Sequence, residues 1–195
     1  MAGSIAYLVG VDEAGRGPLA GPVAVGVVVV PIKLQAILKR YAVRDSKKLS
    51  PRHRGEWYRF LWRERRAGNL QFATVLVSEK IVDCHGIVPA VKRGISRSLR
   101  RLNLEPSACT VFLDGGLKAP KKFAWQQTII RGDETEPIIA LASIAAKVRR
   151  DRQMIKLAQL YPGYGFEIHK GYGTAAHYRA IKKLGPSAIH RRTFL

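Results

Sequence analysis

The chain has very little cysteine: Cys84 and Cys109 are the two thiols in 195 residues. Two thiols build no disulfide framework and show no zinc-ligand spacing, so both are expected to be reduced and packed, as in cytosolic proteins. No stretch of about 18 consecutive apolar residues occurs, which excludes a transmembrane helix, and no membrane partner is expected. The opening MAGSIAYLVG has no basic segment before its apolar run and leads straight into Asp12 and Glu13. That pattern argues against a secretory signal peptide and for a cytoplasmic location. Acidic residues are scarce as well, 14 Asp and Glu against 34 Lys and Arg, for a formal net charge of +20. Disorder is excluded, because 47% of the residues are hydrophobic and supply enough apolar surface for a core. The length suits a single domain over residues 1–195, its basic C-terminal portion from about 150 to 195 packing on the rest.

The excess of positive charge points to a polyanionic partner, nucleic acid before an anionic membrane surface. It is unevenly placed. Residues 36–70 hold eleven basic and three acidic residues, and residues 141–195 hold eleven and two. Residues 1–35 and 106–140 are each neutral.

Short β-branched or apolar runs predict strands at 5–11, 23–30, 70–77, 109–113 and 125–130. Ser50-Pro51 supplies an N-cap and first-turn proline for a helix to about residue 66. Its Trp57, Phe60, Leu61 and Glu64 form one face, and Arg52, Arg59, Arg63 and Arg66 another. Further helices are expected at 88–102, at 138–160 with Leu141, Ile144, Val148 and Ile155 inward, and at 174–184. An early strand pair followed by strands alternating with helices predicts an α/β domain with a mixed sheet.

With so few carboxylates, their placement is informative. Asp12, Asp114 and Asp133 each fall at or just beyond a predicted strand end, where ligand sites gather in α/β sheets. Glu13 follows Asp12, and strand neighbours point to opposite faces. For both to reach one centre the backbone must turn, which Ala14-Gly15 allows. Clustered carboxylates repel unless a cation neutralises them. Oxygen ligands without imidazole or thiolate suit Mg2+ or Mn2+. Spacing alone leaves the alternative open that each is a surface ion pair or a helix cap.

Six ordered blocks carry a resemblance: GVDEAGRGPLAGPV at 10–23, DSKKLS at 45–50, FLDGG at 112–116, GD at 132–133, ASIAAKVRRD at 142–151 and HKGYGT at 169–174. With the closing HRRTF at 190–194, the chain resembles ribonuclease HII, the type 2 ribonuclease H. The resemblance implies a ribonuclease H-like fold, a central mixed β-sheet flanked by helices. It implies a monomeric, Mg2+- or Mn2+-dependent endoribonuclease with two metal ions. Its partners would be RNA/DNA hybrids and duplex DNA containing a ribonucleotide, cut on the 5′ side of that ribonucleotide to leave a 3′-hydroxyl and a 5′-phosphate. Ribonucleotide excision and primer removal would follow.

By the same resemblance Asp12, Glu13, Asp114 and Asp133 are the catalytic metal ligands. The turn Gly15-Arg16-Gly17 would read the ribonucleotide's 2′-hydroxyl through its backbone, and Tyr172 would pack on the following deoxyribose. Lys47, Ser143 and Lys147 would contact phosphates. His169 is expected to hold the HKGY turn by hydrogen bonding; Asp45 is expected to be a turn or cap residue and Asp151 a surface ion pair.

The chain departs from the family pattern at Gly86-Ile87, Leu141 and Thr193, none of them a proposed ligand. Ending directly after HRRTF, it is expected to rely on basic helices where many relatives continue into further helices. The lack of a segment before the first strand sets it apart from the sister ribonuclease HIII. On composition alone, a non-catalytic nucleic-acid-binding protein fits best, but such a binder gains nothing from carboxylates set against phosphates. A DNA nuclease or resolvase of the same fold shares the carboxylates and lacks the 15–17 turn with Tyr172.

Overall fold

In a computed structural model of the chain, residues 5–40 and 49–195 are described, the side chains of 37, 39 and 40 excepted. Lys47 and Asp45 therefore lie outside the described residues. Strands β1 (Tyr7–Ala14), β2 (Val23–Pro31), β3 (Gln71–Val77), β4 (Cys109–Asp114) and β5 (Gln126–Ile129) form one sheet in the order β3-β2-β1-β4-β5. β1, β2 and β3 pair antiparallel, whereas β1 with β4 and β4 with β5 pair parallel, so the sheet is mixed. β2 is covered on both faces and buried along almost its whole length, which is why its sequence reads as continuous valine without alternation.

Helices are α1 (Gln35–Arg40), α2 (Pro51–Arg66), α3 (Glu79–His85), α4 (Ile87–Arg101), α5 (Gly132–Thr135), α6 (Pro137–Leu160), α7 (Phe166–His169) and α8 (Ala175–Leu184). Side-chain alternation divides the core in two. Val9, Val11, Val25, Val27, Val75, Val111 and Leu113 face α3 and α4. Leu8, Val28, Val30, Phe72 and Phe112 face α2 and α6. A smaller cluster of Ala20, Met154, Tyr164, Phe166 and Ile189 joins the C-terminal residues to α6 and the β1–β2 connection. No helix among the described residues is long and apolar enough to cross a membrane.

Ser50 caps α2 by accepting from the His53 amide at 3.2 Å, with Pro51 in the first turn, as the sequence required. Trp57 is only half-buried, and Tyr58 takes a core place instead. The expected inward position of Ile155 is wrong: it is exposed, because α6 has by then run past the sheet and packs through Met154. α3, separate from α4, is absent from the sequence reading. Gly86, with φ of 82°, divides the two helices.

α6 crosses β1 and β2 at very short range. A Cβ on Gly26 would stand 2.2 Å from the Ala142 carbonyl oxygen, so only a residue without a side chain lets the helix lie there. Gly26→Ala is expected to lift α6 and lower stability by about 1–3 kcal/mol, measured by urea unfolding with an unchanged denaturant slope.

Candidate active site

Alternation places Asp12 of β1 and Asp114 of β4 on the face that α6 covers, since Leu8 and Phe112 already point there. The two strands are parallel neighbours, and their last paired step is Val11 with Leu113. The two aspartates thus leave the same end of the sheet side by side. Asp12 is buried, with 2% exposure. The Glu13 amide donates to Asp12 Oδ1 at 2.7 Å, while Oδ2 is buried without a hydrogen-bond partner of good geometry. Burial, then the Glu13 charge, push the Asp12 carboxyl well above the usual range, and Asp114 adds to this. The Ser143 hydroxyl on α6 and the Glu13 amide pull the other way.

Glu13 is also raised, first by burial and then by Asp114, against the opposing pull of Arg16. Its Oε1 pairs with Arg16 Nη1 at 3.2 Å, and Oε2 is buried without a partner. Alternation alone would separate Glu13 from the two aspartates, yet it still lies within electrostatic reach of Asp114. The strand runs through Ala14 and turns at Gly15, whose φ is 91°. Asp114 Oδ1 accepts from the Gly132 amide at 2.7 Å, which ties the end of β4 to α5. Asp133, the next residue, is fully buried.

Strand ends and α5 therefore bring Asp12, Glu13 and Asp114 together, with Asp133 adjoining through Gly132. Among the described residues, no three carboxylate, imidazole or thiolate groups stand as a closed ligand set around one point. The donors nonetheless fit a hard divalent cation in kind. They are all-oxygen, Asp114 raises the proton affinity of Asp12 and Glu13, and two of their buried oxygens have unmet demand.

The other expected residues ring this centre. Gly15 is buried, and Arg16 and Gly17 are exposed on the turn that follows. Ser143 is buried on α6 beside Asp12. One turn further on, Lys147 Nζ pairs with Asp151 at 2.9 Å and lies 5.6 Å from the centre of the Tyr172 ring. Tyr172 is 41% exposed. His169 holds its turn as expected, bonding the Tyr164 carbonyl at 2.7 Å and accepting from the Gly171 amide at 3.2 Å.

A groove of about 470 Å³ opens between α2, α6 and residues 168–172, with Arg54, Lys147, Arg152 and Tyr172 in its walls. Arg152 also borders a second groove of about 540 Å³ with Tyr58, Arg59, Trp62, Arg63 and Arg66. A basic track thus leads away from Tyr172 along α2.

Sequence reasoning passed over Arg150 and Arg191, both fully buried. Neither forms an ion pair among the described residues. Burial, then Arg150, bring Arg191 down to about 10, and burial lowers Arg150 too. The signal for Arg150 was present: it follows Ser143 and Ala146 at helical spacing on the inward face of α6, where a charge is out of place.

A carboxyl raised by burial is favoured in its protonated form, so its destabilising effect is absent below the unfolded value near 3.8 and grows as pH rises above it. Asp12→Asn is expected to stabilise the protein in EDTA at pH 7.5 by at least about 1 kcal/mol, with the gain vanishing below about pH 4. Added Mg2+ or Mn2+ should raise the melting temperature of the unsubstituted protein and leave that of Asp12→Asn nearly unmoved. Thermal unfolding at the two pH values, with and without metal, measures all of this.

The profile of the family described as Ribonuclease HII matches residues 9–195. A ribonuclease HII of Caldicellulosiruptor bescii is 40% identical over 97% of this chain and 86% of its own. The ribonuclease H2 of Pyrococcus horikoshii OT3 superposes with a TM-score of 0.72 at 29% identity, covering 96% of this chain and 93% of that one. RNase HII from the PCNA:RNase HII complex of Archaeoglobus fulgidus gives 0.75 at 24% identity, over 97% and 95%. With that fold and a family match over nearly its whole length, the chain belongs to the ribonuclease HII family, the type 2 ribonucleases H.

Proposed function

We propose that this chain is a single-domain endoribonuclease that hydrolyses the RNA strand of RNA/DNA hybrids and, in duplex DNA, cuts on the 5′ side of a single embedded ribonucleotide. The products carry a 3′-hydroxyl and a 5′-phosphate, as ribonucleotide excision and primer removal require. The observation that carries this reading is the unmet buried oxygens of Asp12 and Glu13, within electrostatic reach of Asp114 and directly before the 15–17 turn.

Asp12, Glu13, Asp114 and Asp133 would hold the metal, Mg2+ or Mn2+. Two such ions would supply an activated water and stabilise the leaving oxygen of a phosphodiester. The residues of the chain do the rest. Burial keeps bulk water away from Asp12, so its charge acts at close range. The exposed backbone of Arg16 and Gly17 can approach a sugar edge closely, and the 2′-hydroxyl is the group that marks RNA. Tyr172 offers a half-exposed ring beside Lys147 on which the adjoining deoxyribose can pack. Ser143 and Lys147 stand one helical turn apart, spaced to follow a phosphate backbone from the centre outward. Beyond them the arginines of the two grooves neutralise phosphates without reading sequence.

Asp114→Asn is expected to lower Mg2+-dependent cleavage of a duplex bearing one ribonucleotide by at least about 100-fold, while binding holds or tightens because a repulsive charge is gone. Gel-based cleavage beside filter binding tests it, and normal turnover would refute the site. Tyr172→Ala should impair cutting at the single ribonucleotide at least about tenfold more than cutting of a continuous hybrid. Equal losses on both substrates would remove its junction-specific role.

A further inference from the structure

The closing HRRTF block takes no part in the chemistry above, yet His190 and Arg191 are among the most deeply buried polar side chains of the protein. Arg191 Nη2 donates to the Gly15 carbonyl and Nη1 to the Arg16 carbonyl, each at 2.7 Å, and Nε donates to Gly21 at 3.0 Å. The backbone of the same segment is stitched to the β1–β2 connection. The Arg191 amide bonds the Leu19 carbonyl at 2.7 Å, the Gly21 amide bonds Ile189 at 2.8 Å, and Ala20 bridges His190. Arg150 adds bonds to the Pro22 and Ala20 carbonyls at 2.9 and 3.2 Å. A Cβ on Gly15 would lie 2.0 Å from Arg150 Nε, so the turn sits directly on these guanidiniums.

This arrangement fixes which way the turn presents itself. In a trans peptide the C=O and N–H point in opposite directions. With the Gly15 and Arg16 carbonyls held inward by Arg191, the amides of Arg16 and Gly17 point the opposite way, outward from the buried guanidinium. A planar guanidinium with five donors can hold three carbonyls at once, and an ammonium cannot do so in a fixed geometry.

His190 reaches the other recognition element. The Ser187 amide donates to His190 Nδ1 at 2.8 Å, so in the neutral ring the proton sits on Nε2. Nε2 is 3.0 Å from His177 Nε2, which must then accept. His177 Nδ1 therefore carries its proton and donates to the Tyr172 carbonyl at 3.0 Å. The backbone partners at the two ends assign one direction to the whole chain of bonds.

We infer that His190 and Arg191 are positioning residues for ribonucleotide recognition, adjacent side chains that hold Tyr172 and the 15–17 turn in one fixed relation to the carboxylates. The inference rests on the reading of that turn and Tyr172 as the recognition elements. Neighbouring residues of one extended segment send their side chains to opposite sides. One dipeptide can thereby clip two elements more than 150 residues apart in the chain.

The test uses Arg191→Lys, which keeps the charge and loses the fork, and His190→Phe, which keeps a ring against Tyr164 and Phe166 and loses the bonds. On a duplex with one ribonucleotide each should lower kcat by about 10- to 100-fold, with KM within about threefold. Hydrogen exchange should quicken at the Leu19 and Gly21 amides in Arg191→Lys and at the Tyr172 and Thr174 amides in His190→Phe, with β1 unchanged in both. Unaltered kcat, or loosening spread evenly through the sheet, overturns the inference. A readout on the unsubstituted protein stands beside these: nitrogen NMR should find His190 protonated on Nε2 and His177 on Nδ1 at neutral pH, and the reverse tautomers would overturn it equally. Tyr172→Ala separates the two levels. If it cuts the single ribonucleotide normally, the recognition reading fails. If it is impaired while Arg191→Lys and His190→Phe cut normally, the clip alone fails.

Discussion

Mutual repulsion among buried carboxylates is the constraint around which this protein is arranged. Asp12 and Asp114 leave neighbouring parallel strands on the same face and at the same end, with Glu13 within reach of both. Nothing in a stability argument favours that placement, because Asp114 raises the proton affinity of both Asp12 and Glu13. The surroundings offset it only in part, through the Glu13 amide, the Ser143 hydroxyl, the Gly132 amide and Arg16. Such partial compensation is characteristic of a site kept for chemistry and completed by a cation.

The distribution of charge follows from this centre. The four site carboxylates sit in the two neutral segments, 1–35 and 106–140, and arginines of α2 and α6 line two grooves, the first of which also holds Tyr172. The buried arginines answer a different need. Arg150 and Arg191 serve backbone carbonyls instead of phosphates, so part of the basic excess is internal scaffolding.

Much of this was legible in the sequence, and for identifiable reasons. The five strands announced themselves because β-branched runs bounded by glycine and proline have few other uses, and α2 because Ser50-Pro51 is a strong start signal. The short helices α3, α5 and α7 were not legible, since four to seven residues carry too little periodicity. Ile155 misled because helical phase was extended beyond the sheet that α6 covers. The carboxylates stood out through scarcity and position. Arg191 and His190 did not, because their importance lies in carbonyl partners distant in sequence, and carbonyls are the same for every residue. Lys147 was visible as a cation near the site, but its ion pair with Asp151 needed only a spacing of four to anticipate.

The close seating of α6 has a metric consequence. Ser143 beside Asp12, Lys147 beside Tyr172 and Arg152 at the junction of the grooves all ride on one helix. At 1.5 Å per residue these points are spaced at about 6 and 7.5 Å along its axis. The distances from Asp12 to the Tyr172 ring and the grooves are thus graduated on a rigid rod seated on the sheet, and no loop can stretch them. A one-residue insertion between Ser143 and Lys147 would swing every later residue of α6 about 100° out of line.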